Sequence, residues 1–253
     1  MPLAVSFVLF CLLGPANEKG KRFPLNDHKI WLFLGFTAAA YTLAVGWTPF
    51  ESIISGHAPV PAWSYLTTVS SFFIRAVLML LLPCIWWWFA DRGEVRSYYG
   101  FRVSPGHGRI YIILAAIAVV IALAASTDPG FASFYPITRP DAPVSQALGT
   151  SPMTLLLIWE SVYVGQFVAL ELFFRGFLVM GLGRLMGSGS VWIMASMYMF
   201  IHFSKPPAEA IASFFAGILL GVLAYRTRSI YGGVILHVTI AVSMDIFALM
   251  VTR

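Results

Sequence analysis

The chain is dominated by uninterrupted apolar runs near residues 30–47, 64–90, 110–126, 154–182, 207–225 and 230–251, with a shorter run at 190–203 and another at 2–13. An α-helix needs about 20 mostly apolar residues to cross the hydrocarbon of a bilayer, and six of these runs are of that order. Only 11% of the 253 residues are charged, against about 25% in soluble domains, and the mean hydropathy is +0.82. The strands of a membrane barrel would alternate polarity in segments of roughly ten residues, whereas these runs are continuously apolar. The expected fold is therefore all-α, a polytopic membrane bundle of about eight transmembrane helices. Residues 2–13 have neither the basic start nor the small-residue cleavage site of a signal peptide, and are read as a short first helix.

The basic residues give an orientation. If the first helix starts outside, the inner loops hold Lys19, Lys21, Arg22, Lys29, Arg92, Arg96, Arg102, Arg109, Arg184, Arg226 and Arg228. The outer loops and C-terminus hold only Arg139, Lys205 and Arg253, so the positive-inside rule puts both termini outside. The pI of about 9.4 then reflects loop charge facing anionic lipid, and nucleic-acid binding is not indicated. Cys11 and Cys84 lie in apolar runs without metal-ligand spacing and read as small hydrophobes.

The Pro- and Gly-rich stretch 127–153 divides the chain into N-terminal transmembrane helices and an outer loop, 1–150, and a second set of helices, 151–253. The first part carries one intramembrane charge, Arg75, while the second carries Glu160, Glu171, Arg175, His202, His237 and Asp245, with Glu209 at a helix edge. Gly217 and Gly221 form a small-xxx-small pair suited to close helix approach in lipid.

A charge at mid-bilayer costs about 2.5–3.5 kcal/mol on insertion scales, so several in one bundle must pair or face a wet cavity. Glu171 and Arg175, spaced i, i+4, share a helix face and read either as a structural ion pair or as part of a site. Glu160, about three turns earlier, lies on nearly the same face, or else is an interfacial glutamate. His202 precedes the break at Pro206 and Pro207, and Glu209 falls in the first turn of the following helix, where a carboxylate also suits the helix dipole. His237 and Asp245 lie about 80° apart around one helix. Singly each is a plausible packing group. Jointly, imidazoles and carboxylates can activate a water and stabilise the oxyanion of acyl transfer, and the same donors can ligate zinc.

The order of these residues resembles the CAAX protease and bacteriocin-processing family of intramembrane endopeptidases, which includes the Ras-converting prenyl protease. Its pattern of EExxxR, FxxxH and HxxxN (or Asp) is echoed by "LELFFRG", "YMFIH" and "HVTIA" over roughly residues 150–250. Three positions depart from it: Leu170 stands where the family has its first glutamate, Tyr198 where it has Phe, and Ala241 where it has Asn. The resemblance implies a multi-pass protein of the bacterial cytoplasmic membrane that hydrolyses a peptide bond in a C-terminal or leader segment. Its site residues would be Glu171, Arg175, His202, His237, Glu209 and Asp245. Glu171 or Glu209 would serve as base, Arg175 would orient Glu171, the histidines would polarise the carbonyl, and Asp245 would stand in for the asparagine. Zinc held by His202, His237 and Glu171 is an option, although no HExxH spacing is present. The alternative is a non-catalytic scaffold, chaperone or immunity protein using the same cavity. A proton-coupled transporter also buries such groups, but the chain lacks an internal repeat.

Overall fold

The computed structural model describes residues 27–93, 98–135, 137–138 and 140–251, and among them there is no strand. Helix α1 spans His28–Gly46 and α2 spans Glu51–His57; a short turn leads into α3, Trp63–Trp86, which runs on through a wide π-helical turn, Trp87–Asp91. Next come α4, Gly108–Ala125, and the short α5, Pro129–Phe134, and α6, Ala142–Leu148. Helix α7, Pro152–Glu171, continues through π-helical turns at Leu172–Gly181 into α8, Leu182–Met186. The chain ends with α9, Gly189–Phe200, α10, Pro207–Thr227, and α11, Tyr231–Val251.

Among the described residues, six stretches are long and apolar enough to cross a membrane: His28–His57, Val60–Asp91, Gly108–Ala125, Pro152–Met186, Pro207–Thr227 and Tyr231–Val251. They coincide with the six longest apolar runs. The run at 190–203 forms α9, whose 12 residues rise only about 18 Å at 1.5 Å each, too little to span. The expected first helix, 2–13, lies outside the described residues, as do Cys11 and several of the basic residues used for orientation. Cys84, read as a small hydrophobe in the core or facing lipid, is free and exposed.

Local chemistry sets the helix starts. Asp128 accepts from the Phe131 amide at 2.8 Å and Asp141 from the Val144 amide at 3.0 Å, so each aspartate caps a short helix that also has proline in its first turn. Stretch 127–153 is therefore partly helical, not a plain loop. Ser151 caps α7 in the same way, accepting from the Thr154 amide at 3.1 Å.

Lipid supplies no apolar driving force between helices, so close packing has to hold them together. The main core surrounds the π-helical turns: Phe177 stacks on Phe33 of α1 at 4.5 Å between ring centroids, and Phe33 meets Trp86 of α3 edge-on at 5.2 Å. The N-terminal helices thus pack directly on the segment that follows Glu171. The expectation for the small-residue pair holds. A Cβ on Gly217 would come within 3.2 Å of the Ala195 backbone, and one on Gly221 within 2.9 Å of Val191, so these glycines let α10 lie against α9. On α4, Ile112, Ile113, Val120 and Ile121 are exposed, as a lipid-facing helix requires.

Arg184, expected among the loop charges facing anionic lipid, pairs with the buried Asp91, which also accepts from the Tyr99 hydroxyl. Burial and the neighbouring Asp91 carboxylate push the Tyr99 phenol well above its usual range, keeping it a donor. This contact ties the end of α3 to α8.

Candidate functional site

Glu171 is the last α-helical residue before the helix widens into π turns, a feature often found at functional sites because it changes the angular step between side chains. Glu171 and Arg175 are both wholly buried. The Arg175 Nη1 lies 3.1 Å from Glu171 Oε1, so the expected ion pair is formed. The same oxygen accepts from His237 Nδ1 at 2.6 Å, across 66 residues of sequence. The other oxygen, Oε2, lies over Gly233, where a Cβ would sit 2.0 Å away. Gly233 is one helical turn before His237 on α11, so the carboxylate lies along that turn, one oxygen on the glycine and one on the imidazole. Two adjacent glycines, Gly232 and Gly233, lie one turn before this membrane histidine, and the lack of a side chain at Gly233 is what permits the close approach.

The second ring nitrogen of His237, Nε2, is bonded to the hydroxyl of Tyr198 on α9. Tyr198 also lies beneath Arg175, whose guanidinium carbon is 4.2 Å from the ring centroid, and beside His202, with ring centroids 4.6 Å apart. Phe167 stacks on His237 at 5.2 Å and 4°, fixing the imidazole plane. Tyr198 and Phe167 are site residues that the sequence reading did not select. At position 198 the exchange from the family's Phe looked mild, yet it adds a hydroxyl that is polar and bonded.

The partners set the protonation states. A carboxylate only accepts, so His237 carries its proton on Nδ1 toward Glu171, and in the neutral ring Nε2 accepts from the Tyr198 O–H. His202 Nδ1 lies 2.9 Å from the backbone carbonyl of Tyr198 and must donate to it, which leaves His202 Nε2 as an acceptor. His202, buried in the turn between α9 and α10, therefore contacts Tyr198 by both ring and backbone and bonds through it, while Glu171 bonds His237.

Glu209 and Asp245 belong to a neighbouring polar group. Glu209, in the first turn of α10, accepts from the Tyr135 hydroxyl at 2.7 and 2.9 Å and from Lys205 Nζ at 2.7 Å. Burial, followed by the Glu209 carboxylate, raises the Tyr135 phenol well above its usual range, so it remains a donor. Asp245 is buried on α11 and has the Glu160 carboxyl as a neighbour. Glu160, half-buried, thus turns inward toward Asp245.

The family positions occupied by other residues are filled by packing. Leu170 belongs to the apolar cluster around Phe173 and Phe174, and Ala241 to the one around Trp159, Tyr163 and Phe167. Zinc does not fit the donors as they stand: both nitrogens of His237 have partners, and among the described residues no three His, Cys, Asp or Glu side chains converge on a metal position.

No curated protein and no solved structure matches the chain. A family model does: residues 151–243, which contain Glu171, Arg175, Tyr198, His202, Glu209, Gly233 and His237, match the family described as type II CAAX prenyl endopeptidase Rce1-like, the same family that the three motifs resemble.

Proposed function

We propose that this chain is an intramembrane peptidase that hydrolyses a peptide bond with an activated water, the Glu171–His237 pair acting as the proton-accepting unit. The observation that carries this reading is the 2.6 Å bond between the Glu171 carboxylate and His237 Nδ1, buried among apolar helices within the stretch that matches the endopeptidase family. A carboxylate bonded to one imidazole nitrogen fixes the tautomer, turns the other nitrogen toward the reaction, and stabilises the imidazolium that forms. Glu171 is wholly buried, so it works through His237 as a base at one remove. Arg175 keeps the carboxylate in place. His202 offers only an acceptor at Nε2, which suits it to orient the attacking water and not to polarise the carbonyl. Lys205 and Glu209, partly exposed and bonded to the buried Tyr135, form the polar edge by which water and substrate enter, and the Asp245–Glu160 pair lies farther along the same interior.

The family description favours a substrate tail that carries a prenyl group near the membrane, and a leader segment is the alternative class. The setting proposed is a bacterial cytoplasmic membrane. No step is routed through zinc, because the donor set does not assemble one.

The test uses purified protein in lipid vesicles with two quenched fluorescent peptides, one ending in a farnesylated Cys-aliphatic-aliphatic-X tail and one an apolar leader-like peptide. The wild type should cleave at least one of them, and a chelator should leave the rate unchanged. Glu171→Gln and His237→Gln should each lower kcat by about 10²–10⁴-fold, the usual contribution of general acid–base catalysis. Full turnover in both variants would remove the pair from the mechanism.

A second reading is a non-catalytic binding protein, favoured by the apolar packing of Leu170 and Ala241. It predicts peptide binding without cleavage, with the same Kd in wild type and Glu171→Gln.

A further inference from the structure

Both nitrogens of His237 are taken, Nδ1 by Glu171 and Nε2 by the Tyr198 hydroxyl. A proton bound for His237 therefore has one remaining route in this arrangement, through the phenol. Resting on the peptidase reading above, we propose that Tyr198 is a proton-relay residue between the attacking water and the Glu171–His237 pair.

Three further contacts suit the side chain to this task. Arg175 lies 4.2 Å over the ring face, placing a fixed cation against the phenol as negative charge develops on its oxygen. His202 stands beside the same ring at 4.6 Å with Nε2 free to accept, so one water can donate to His202 while it approaches the phenol oxygen. Phe174 packs edge-on against Tyr198 at 5.3 Å, which holds the ring in this position.

The proton balance closes without any added reagent. As the water oxygen adds to the carbonyl carbon, one water proton passes to the phenol oxygen while the phenol proton passes to His237 Nε2. This leaves a neutral Tyr198, an imidazolium paired with Glu171, and a tetrahedral oxyanion. When the C–N bond breaks, the imidazolium returns its proton through Tyr198 to the departing amine nitrogen, and the oxyanion collapses to the carboxyl product. The hydroxyl thus supplies at position 198 a proton-transfer group in a chain whose position 170 holds leucine.

Tyr198→Phe tests the inference, because it removes only the oxygen and keeps the ring packing. With whichever of the two fluorescent peptides the wild type cleaves, kcat should fall by about 100-fold, the lower end of an acid–base contribution, and KM should change by less than about threefold if only the transition state is affected. The proton inventory in mixed H₂O and D₂O should change from curved, with more than one proton in flight, to linear. Incorporation of 3-fluorotyrosine at position 198, a more acidic phenol of nearly the same size, should restore turnover and shift the pH–rate profile. A Tyr198→Phe enzyme with wild-type kcat and a curved inventory would overturn the relay while leaving the peptidase reading intact. A wild type inert toward both peptides would overturn the peptidase reading, and the relay with it.

Discussion

Gly233→Ala is expected to lower turnover by at least about 100-fold, the scale on which a misplacement of about 1 Å at a reacting group is felt. The added methyl would sit 2.0 Å from Glu171 Oε2 and 2.7 Å from the carboxyl carbon, so the carboxylate must move. Glu171 has nowhere to go without loss, because it is wholly buried and its other oxygen is held by His237 and Arg175. The adjacent Gly232 is the internal control. A methyl there meets the ring of Tyr111, with its nearest atoms at 2.0–2.4 Å, but Tyr111 is only partly buried and its ring can swing outward. Gly232→Ala should therefore keep most of the activity and cost about 1 kcal/mol, the low end of overpacking effects. Steady-state kinetics and thermal unfolding of both variants check the contrast. Equal loss from the two substitutions would mean that α11 responds as a whole and that Gly233 has no particular relation to Glu171.

Arg175→Met should be the most destabilising single change at the site, by about 3–5 kcal/mol, because removing one member of a buried ion pair leaves the other charge uncompensated. For a chain of this size each kcal/mol shifts Tm by about 2–4 °C, so a fall of roughly 6–20 °C is expected in thermal unfolding. Glu171→Gln strands Arg175 in the same way, so its loss of activity must be read beside a measure of folding. Substituting both residues together should cost clearly less than the sum of the two single changes, since neither charge is then left alone. Additive losses would mean that Arg175 is held mainly by its position over Tyr198 and not by its pairing with Glu171.

Helix identity and membrane character were legible in the sequence because they depend on local composition. Six runs of sufficient length and hydropathy became six potential spans, and the seventh became the short α9. The Glu171–Arg175 pair was legible for the same kind of reason, since an i, i+4 step on one helix brings the side chains together wherever that helix lies. Gly217 and Gly221 were likewise readable as a contact stripe, although their partner α9 was not. In stretch 127–153 proline and glycine suggest a loop, whereas Asp128 and Asp141 cap two short helices there.

The composition and order of residues determined by themselves that this chain is a multi-pass helical protein with most of its intramembrane charges after residue 150, because the cost of placing charge in hydrocarbon applies to every segment before any tertiary contact exists. Tertiary structure alone decided which of those groups meet. It put His237 on Glu171 across 66 residues, made Tyr198 the bridge from His237 to His202, sent Glu209 to Lys205 and Tyr135, and left Leu170 and Ala241 in apolar packing. The physical reason is that a hydrogen bond between helices depends on their relative depth and rotation. Those are set by close contacts such as the one at Gly233, which no periodicity along a single helix encodes.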